Sequence, residues 1–210
     1  AFGYHLAGFD VVGIDIQPQP HYPFKFIQAD AFDYVREHGH EFDVIHASPP
    51  CQAYTGLRNV TLSRFGHAPD YPDLIDATRL ALCESGKPWI IENVQFSPLR
   101  TQFRLCGASM GLPGLARHRH FESSELFLGA PACTHRRQEQ TIGVYGARPD
   151  GRRVSYRHHR LVRVASSIDE AKSLMGIDWM SWDELTLAIP PAYTVWIGRQ
   201  LLEMLSEKAR

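Results

Sequence analysis

The chain has 210 residues, a formal net charge of −1 and 44% hydrophobic residues, the balance of a folded protein with one real core and room for a small extra lobe. No apolar run approaches the roughly 20 residues of a membrane span and no signal peptide is visible, so no membrane partner is expected. The four cysteines, Cys51, Cys83, Cys106 and Cys133, form no Cys-x-x-Cys pair, which argues against a disulfide scaffold and for a reducing, cytoplasmic setting.

Residues 1–10, "AFGYHLAGFD", read as a helix running straight into "VVGIDI" (11–16), a β-branched strand candidate ending on Asp15. "FKFIQ" (24–28) is a second strand, leading to Asp30, and 31–38 a helix. "FDVIHA" (42–47) is a third strand, followed by a Pro-Pro turn that carries Cys51. Residues 73–85 predict a helix with Leu74, Ala77, Ala81 and Glu84 at helical spacing and Gly86 as its stop. "PWIIEN" (88–93) is a fourth strand, ending on Glu92 and Asn93. Nearly continuous apolar strands alternating with helices predict an α/β fold with a doubly wound, mostly parallel sheet covered on both faces. Ligands of such sheets bind beyond the carboxyl ends of the strands. Asp15, Asp30, Cys51 and Glu92 are therefore expected to converge on one cleft.

The pattern changes after Gly107. Residues 117–163 hold ten Arg, no Lys, four acids and five His, against 12 Lys+Arg and 19 Asp+Glu in the remainder. Short strands are expected at "TIGVYG" (141–146) and "RVSYR" (153–157), making a small lobe of strands and loops. Its arginines suit a polyanion and equally suit a solvated surface. Helix signals return in "SSIDEAKSLMG" (166–176), where Ser167 and Glu170 are spaced as a capping box and Gly176 as a stop. An amphipathic helix follows from Ala192, with Ile197, Leu201 and Leu205 on one face. The expected organisation is a main domain from 1–116 and 164–210 with the lobe at 117–163 between them.

A thiol on a rigid turn at a strand end is suited to nucleophilic work, although a lone cysteine is more often an inert buried one. The surrounding motifs sharpen this. "PPCQAYT", with Pro50, Cys51, Gln52, Tyr54 and Thr55, and "IIENV", with Glu92, Asn93 and Val94, resemble the signature motifs of the DNA (cytosine-5)-methyltransferases. "RHRHF", with Arg117, Arg119 and Phe121, resembles that family's Arg-x-Arg motif, though Leu115 stands where a glutamine often precedes it. "AIPPAYTVWIG" resembles its closing Pro-Pro motif and helix. In this comparison "GYHLAGFDVVGIDI" matches the family's first helix and second strand, ahead of which the family carries a first strand and a Phe-x-Gly-x-Gly loop.

The resemblance implies methyl transfer from S-adenosylmethionine to carbon 5 of a flipped cytosine in DNA. Cys51 would add to carbon 6, Glu92 would serve ring N3, and Arg119, or as second choice Arg117, would serve the base O2. It implies Asp15 on the cofactor ribose, Ile16 against the adenine, Asp30 near the adenine amino group and Pro50 lining the pocket. Gln52 and Asn93 would lie with the substrate, and Arg136, Arg137, Arg152 and Arg153 would hold DNA phosphates. A non-catalytic DNA-binding relative and a free pyrimidine-nucleotide methyltransferase are the alternatives. Asp15 and Asp30 could equally cap turns or helices. Cys133, His135, His118 and His120 form no regular pair of zinc arms, so no metal is expected.

Overall fold

The order of secondary elements follows from where apolar strands can find cover. A computed structural model describes residues 1–55, 70–115, 117–133, 135, 140–146, 154–157, 160–208 and 210. Helix α1 (Phe2–Ala7) stops at Gly8, whose φ of 114° is a left-handed conformation that glycine adopts without strain. Strand β1 (Val12–Asp15) pairs in parallel with β2 (Lys25–Gln28). Helix α2 (Ala31–His38) follows, capped by Asp30. Strand β3 (Ile45–Ala47) pairs in parallel with β4 (Trp89–Asn93), and helix α3 (Ile75–Glu84) lies between them in the chain.

The chain then departs from a parallel pattern. Strands β5 (Phe103–Leu105) and β6 (Arg119–Ser123) complete a four-stranded sheet in the order β3–β4–β6–β5, with β6 antiparallel to both neighbours. A third sheet, ordered β7–β9–β8, contains β7 (Thr141–Gly143), β8 (Val154–Arg157) and β9 (Arg160–Val164). Helices α4 (Ile168–Met175), α5 (Trp182–Leu187) and α6 (Pro191–Lys208) close the chain. The fold is thus mixed α/β with several small sheets, each holding a parallel pair. Among the described residues the β1–β2 pair is not hydrogen-bonded to the four-stranded sheet. No described helix is long and apolar enough to cross a membrane.

Strand β4 is buried along its whole length, and its first three residues, Trp89–Ile91, are apolar for that reason. Ile90 packs with Phe103, Leu105 and Phe121 against Tyr193, Ile197 and Leu201 of α6. Trp89 and Ile91 pack on the other face against Ile75 and Leu82 of α3. Each fully buried side chain of this size contributes about 1.5–3 kcal/mol. Leu115 and Val144 join Met175, Trp182 and Leu185 in a third cluster, which seats the lobe on α4 and α5. Helices α1 and α6 touch backbone to backbone: a Cβ at Gly3 would lie 2.1 Å from the Pro191 carbonyl oxygen, and one at Gly198 would lie 2.8 Å from the Ala7 Cβ.

The buried face of α3 is Ile75, Thr78 and Leu82, whereas Ala77 and Glu84 are exposed. The row Leu74, Ala77, Ala81 and Glu84 lies one residue, about 100°, around the helix from the row that meets β4. Three expectations change. Ser167 does cap the Glu170 N–H (3.1 Å), but the Glu170 carboxylate turns to the Ser166 N–H (2.6 Å) and to Arg163. The reciprocal capping box lies instead at Ser181 and Glu184 on α5. Helix α6 begins at Pro191, one residue early, because proline's missing N–H is no loss in a first turn. Finally, residues 119–123, expected in the lobe, are a strand of the main sheet, since Phe121 is fully buried and covers Phe103.

Candidate active site

Strand pairing gathers the residues. Because β3 and β4 run parallel, the turn after β3 and the end of β4 meet at one sheet edge. Because β6 runs antiparallel to β4, the start of β6 reaches that same edge. Glu92 is in register with Phe121. Arg119, two residues earlier, projects from the same face as a diagonal neighbour about 7–8 Å away, within reach of an arginine. Its Nε lies 2.7 Å from Glu92 Oε1, and its Nη1 donates to the His118 carbonyl (2.9 Å).

Glu92 is only 6% exposed. The guanidinium N–H points off the line to Oε1, so that oxygen has charge compensation but no well-aligned hydrogen bond among the described residues. Burial pushes the Glu92 carboxyl above the usual range, and burial outweighs the opposing pull of Arg119, Ser48 and Arg117. A carboxyl in this state holds its proton more tightly than an exposed one and can donate it.

Cys51 has φ −99° and ψ −3°, the bridge region often adopted by active-site residues. It opens a single 3₁₀ turn, 52–54, closed by the Tyr54 N–H on the Cys51 carbonyl (3.0 Å). The Tyr54 hydroxyl donates to Asp73, which also accepts the Ile75 N–H (3.3 Å), so the turn is tied to the start of α3. Asn93 holds the other side. Its Nδ2 donates to the Pro49 carbonyl (2.9 Å) and its Oδ1 accepts the Val94 N–H (2.9 Å). Asn93 is a positioning residue for the Pro-Pro-Cys turn. Burial pushes the Cys51 thiol up overall, although Arg119 pulls the other way.

Arg117 is 8% exposed and donates to the carbonyls of Val144 (2.8 Å) and Thr186 (2.6 Å), while its own carbonyl accepts the Tyr193 hydroxyl. It clamps the start of β6 to the lobe, to α5 and to α6, which leaves Arg119 as the arginine facing Glu92. Pro50 and Gln52 are exposed. Asp15 accepts the Gln17 N–H (2.8 Å) and Gln19 Nε2 (3.1 Å), and Ile16 beside it is 61% exposed. Asp30 accepts the Phe32 and Asp33 N–H groups at the start of α2. Arg136, Arg137, Arg152 and Arg153 lie outside the described residues.

Two features had no signal in the sequence, and a third was only partly visible there. Glu122, 3% exposed, accepts from Arg79 of α3 and from the Arg100 N–H (2.7 Å), bracing β6 one residue from the Arg119 face. Half-buried His46, whose pKa is pulled down to about 3 by loss of solvation, is hydrogen-bonded through Nδ1 to the Tyr4 hydroxyl (2.7 Å) and joins α1 to β3. Cys106, His118, Cys133 and His135 bring four donor atoms within 4.8 Å of one another. An open cleft of about 640 Å³, lined by Phe2, Lys172, Gly176 and Trp179 among others, is not lined by Cys51, Glu92 or Arg119. No family model and no curated protein matches the chain.

Proposed function

We propose that the chain is a DNA (cytosine-5)-methyltransferase that uses S-adenosylmethionine. The observation that carries this is the meeting of Cys51, Glu92 and Arg119 at one sheet edge, with Arg119 Nε 2.7 Å from the buried Glu92 carboxyl. The two parallel pairs β1–β2 and β3–β4 are read as parts of one doubly wound, Rossmann-like sheet, with the arginine-rich segment after β6, 124–163, as the DNA-facing lobe.

In this reading a cytosine swung out of the duplex stacks over the turn after β3, at a cost of a few kcal/mol. Cys51, once deprotonated, adds to carbon 6 and the ring electrons shift toward carbon 5, N3 and O2. Protonated Glu92 donates to N3 as charge builds there, and Arg119 donates to O2. Carbon 5 is then an enamine carbon able to take a methyl group. Loss of the carbon-5 proton afterwards expels the Cys51 thiolate and restores the ring double bond.

The cofactor residues fit on one structural ground. The end of β1 presents a carboxylate beside an exposed apolar side chain, Asp15 and Ile16, the pairing that a ribose diol and an adenine face require. Asp15 would hold the ribose and Ile16 the adenine, with Asp30 and Pro50 bordering them. S-adenosylmethionine, when bound, supplies the electrophilic methyl group.

The test is incubation with S-adenosylmethionine and duplex DNA containing 5-fluorocytosine, which cannot lose a proton from carbon 5 and so traps the adduct. The expected result is a covalent protein–DNA species with wild type and none with Cys51→Ala. Equal adduct from Cys51→Ala overturns the mechanism, and turnover of a free pyrimidine nucleotide in preference to DNA overturns the substrate.

A further inference from the structure

Four soft or borderline donors meet at the foot of the lobe, on segments far apart in the chain. Cys106 follows β5 and is 1% exposed. His118 directly precedes β6, and Cys133 and His135 lie on the segment beyond it. Only the antiparallel pairing of β5 with β6, which sets Leu105 against Arg119, brings Cys106 beside His118. The distances between donor atoms are informative. Cys106 Sγ and Cys133 Sγ are 3.7 Å apart, His118 Nε2 and His135 Nε2 are 3.3 Å apart, and His118 Nε2 and Cys133 Sγ are 3.4 Å apart.

A tetrahedral zinc ion with Zn–S near 2.3 Å and Zn–N near 2.05 Å requires S···S of about 3.8 Å, N···N of about 3.3 Å and S···N of about 3.6 Å. The three observed edges lie within about 0.2 Å of these values. We propose that Cys106, His118, Cys133 and His135 form a structural zinc site. This departs from the expectation of no metal, which rested on ligand spacing along the chain. It also replaces His120 with Cys106: His120 lies within β6, in register with Asn93 and Arg104, and is not one of the four. A closed set of two thiolates and two imidazoles is the donor set of structural zinc, and it leaves no position for a catalytic water. The ion crosslinks β5, the start of β6 and the segment entering the lobe. His118 sits between Arg117 and Arg119, so the same ion fixes the backbone from which Arg119 reaches Glu92. The site does not depend on the methyltransferase reading.

The test starts from wild-type protein expressed with zinc and purified under reducing conditions. Metal analysis is expected to find about one zinc per chain, and X-ray absorption to find sulfur and nitrogen shells near 2.3 Å and 2.0 Å in equal number. Cobalt exchange is expected to give the intense visible bands and thiolate charge-transfer of a tetrahedral site. These measurements need no variant to fold. Cys106→Ser with Cys133→Ser is expected to lose the zinc. Wild type with neither zinc nor cobalt binding overturns the proposal, as does zinc retained at full stoichiometry by the double variant. A Cys106–Cys133 disulfide, seen as a loss of two hydrogens in one linked peptide, also overturns it.

Discussion

Replacing Glu92 by Gln separates catalysis from stability at a single atom. The side chain keeps its shape and can keep Oε1 beside Arg119, but it no longer carries a proton of carboxylic acidity. Removing a general acid of this kind lowers the rate by about 10²–10⁴-fold, or about 2.7–5.5 kcal/mol of barrier. Stability should move the other way. Burial is the largest influence on Glu92 and raises its pKa despite Arg119, so the native state binds the proton more tightly than the unfolded chain does. Stability from this group is therefore fully present below the unfolded carboxyl value and falls as pH rises through the raised native one. Glu92→Gln should match wild type at acidic pH and be at least as stable at neutral pH. The pH profile of 5-fluorocytosine adduct formation adds a signature. Wild type should climb, flatten between the Glu92 and Cys51 values and fall above the higher of the two; the variant should climb through to the Cys51 value and then level. A Glu92→Gln protein with a wild-type adduct rate, or with a Tm lower by several degrees, would refute this reasoning.

The neighbouring Glu122 should behave in the opposite way. Arg79 and Arg100 hold its carboxyl below the ordinary range even though burial opposes them, and removing one partner of a buried pair costs about 3–5 kcal/mol. Asp76 and the Pro98 carbonyl still serve Arg79, so Glu122→Gln should sit near the low end, a Tm drop of about 6–12 °C; a shift under about 2 °C counts against it. Asn93→Ala removes the donor to the Pro49 carbonyl, a loss of about 1–3 kcal/mol in chemical denaturation, and should slow adduct formation by freeing the cysteine turn. An unchanged adduct rate would show that the turn holds itself. Arg163 holds Glu170 down at about 2, so its contribution is present above the unfolded carboxyl value and lost as pH falls toward about 2. The stability gap between wild type and Glu170→Gln should close across that window, and a gap that persists at its acid end would disprove the assignment.

How much was legible before folding differs from residue to residue. Cys51 and Glu92 stand out because a strand's apolar run and the group that ends it are contiguous in the chain. The helix α3 was legible from its spacing, but helical spacing alone does not say which row meets β4. The Ser167–Glu170 spacing suggested a reciprocal cap, yet Arg163, on a separate strand, competes successfully for the carboxylate.

Local pattern determined most strands and helices, the turn that mounts Cys51 and the groups at the strand ends, since these depend on neighbours a few residues away. Tertiary structure alone decided that β6 enters the main sheet antiparallel to β4. That one choice of direction puts Arg119 on Glu92, Glu122 on Arg79, and Cys106 beside His118. Antiparallel register pairs residues whose separation in the chain is arbitrary, so no spacing rule foreshadows them. The upward push on the Glu92 carboxyl arises the same way, because burial comes only once β4 is covered on both faces.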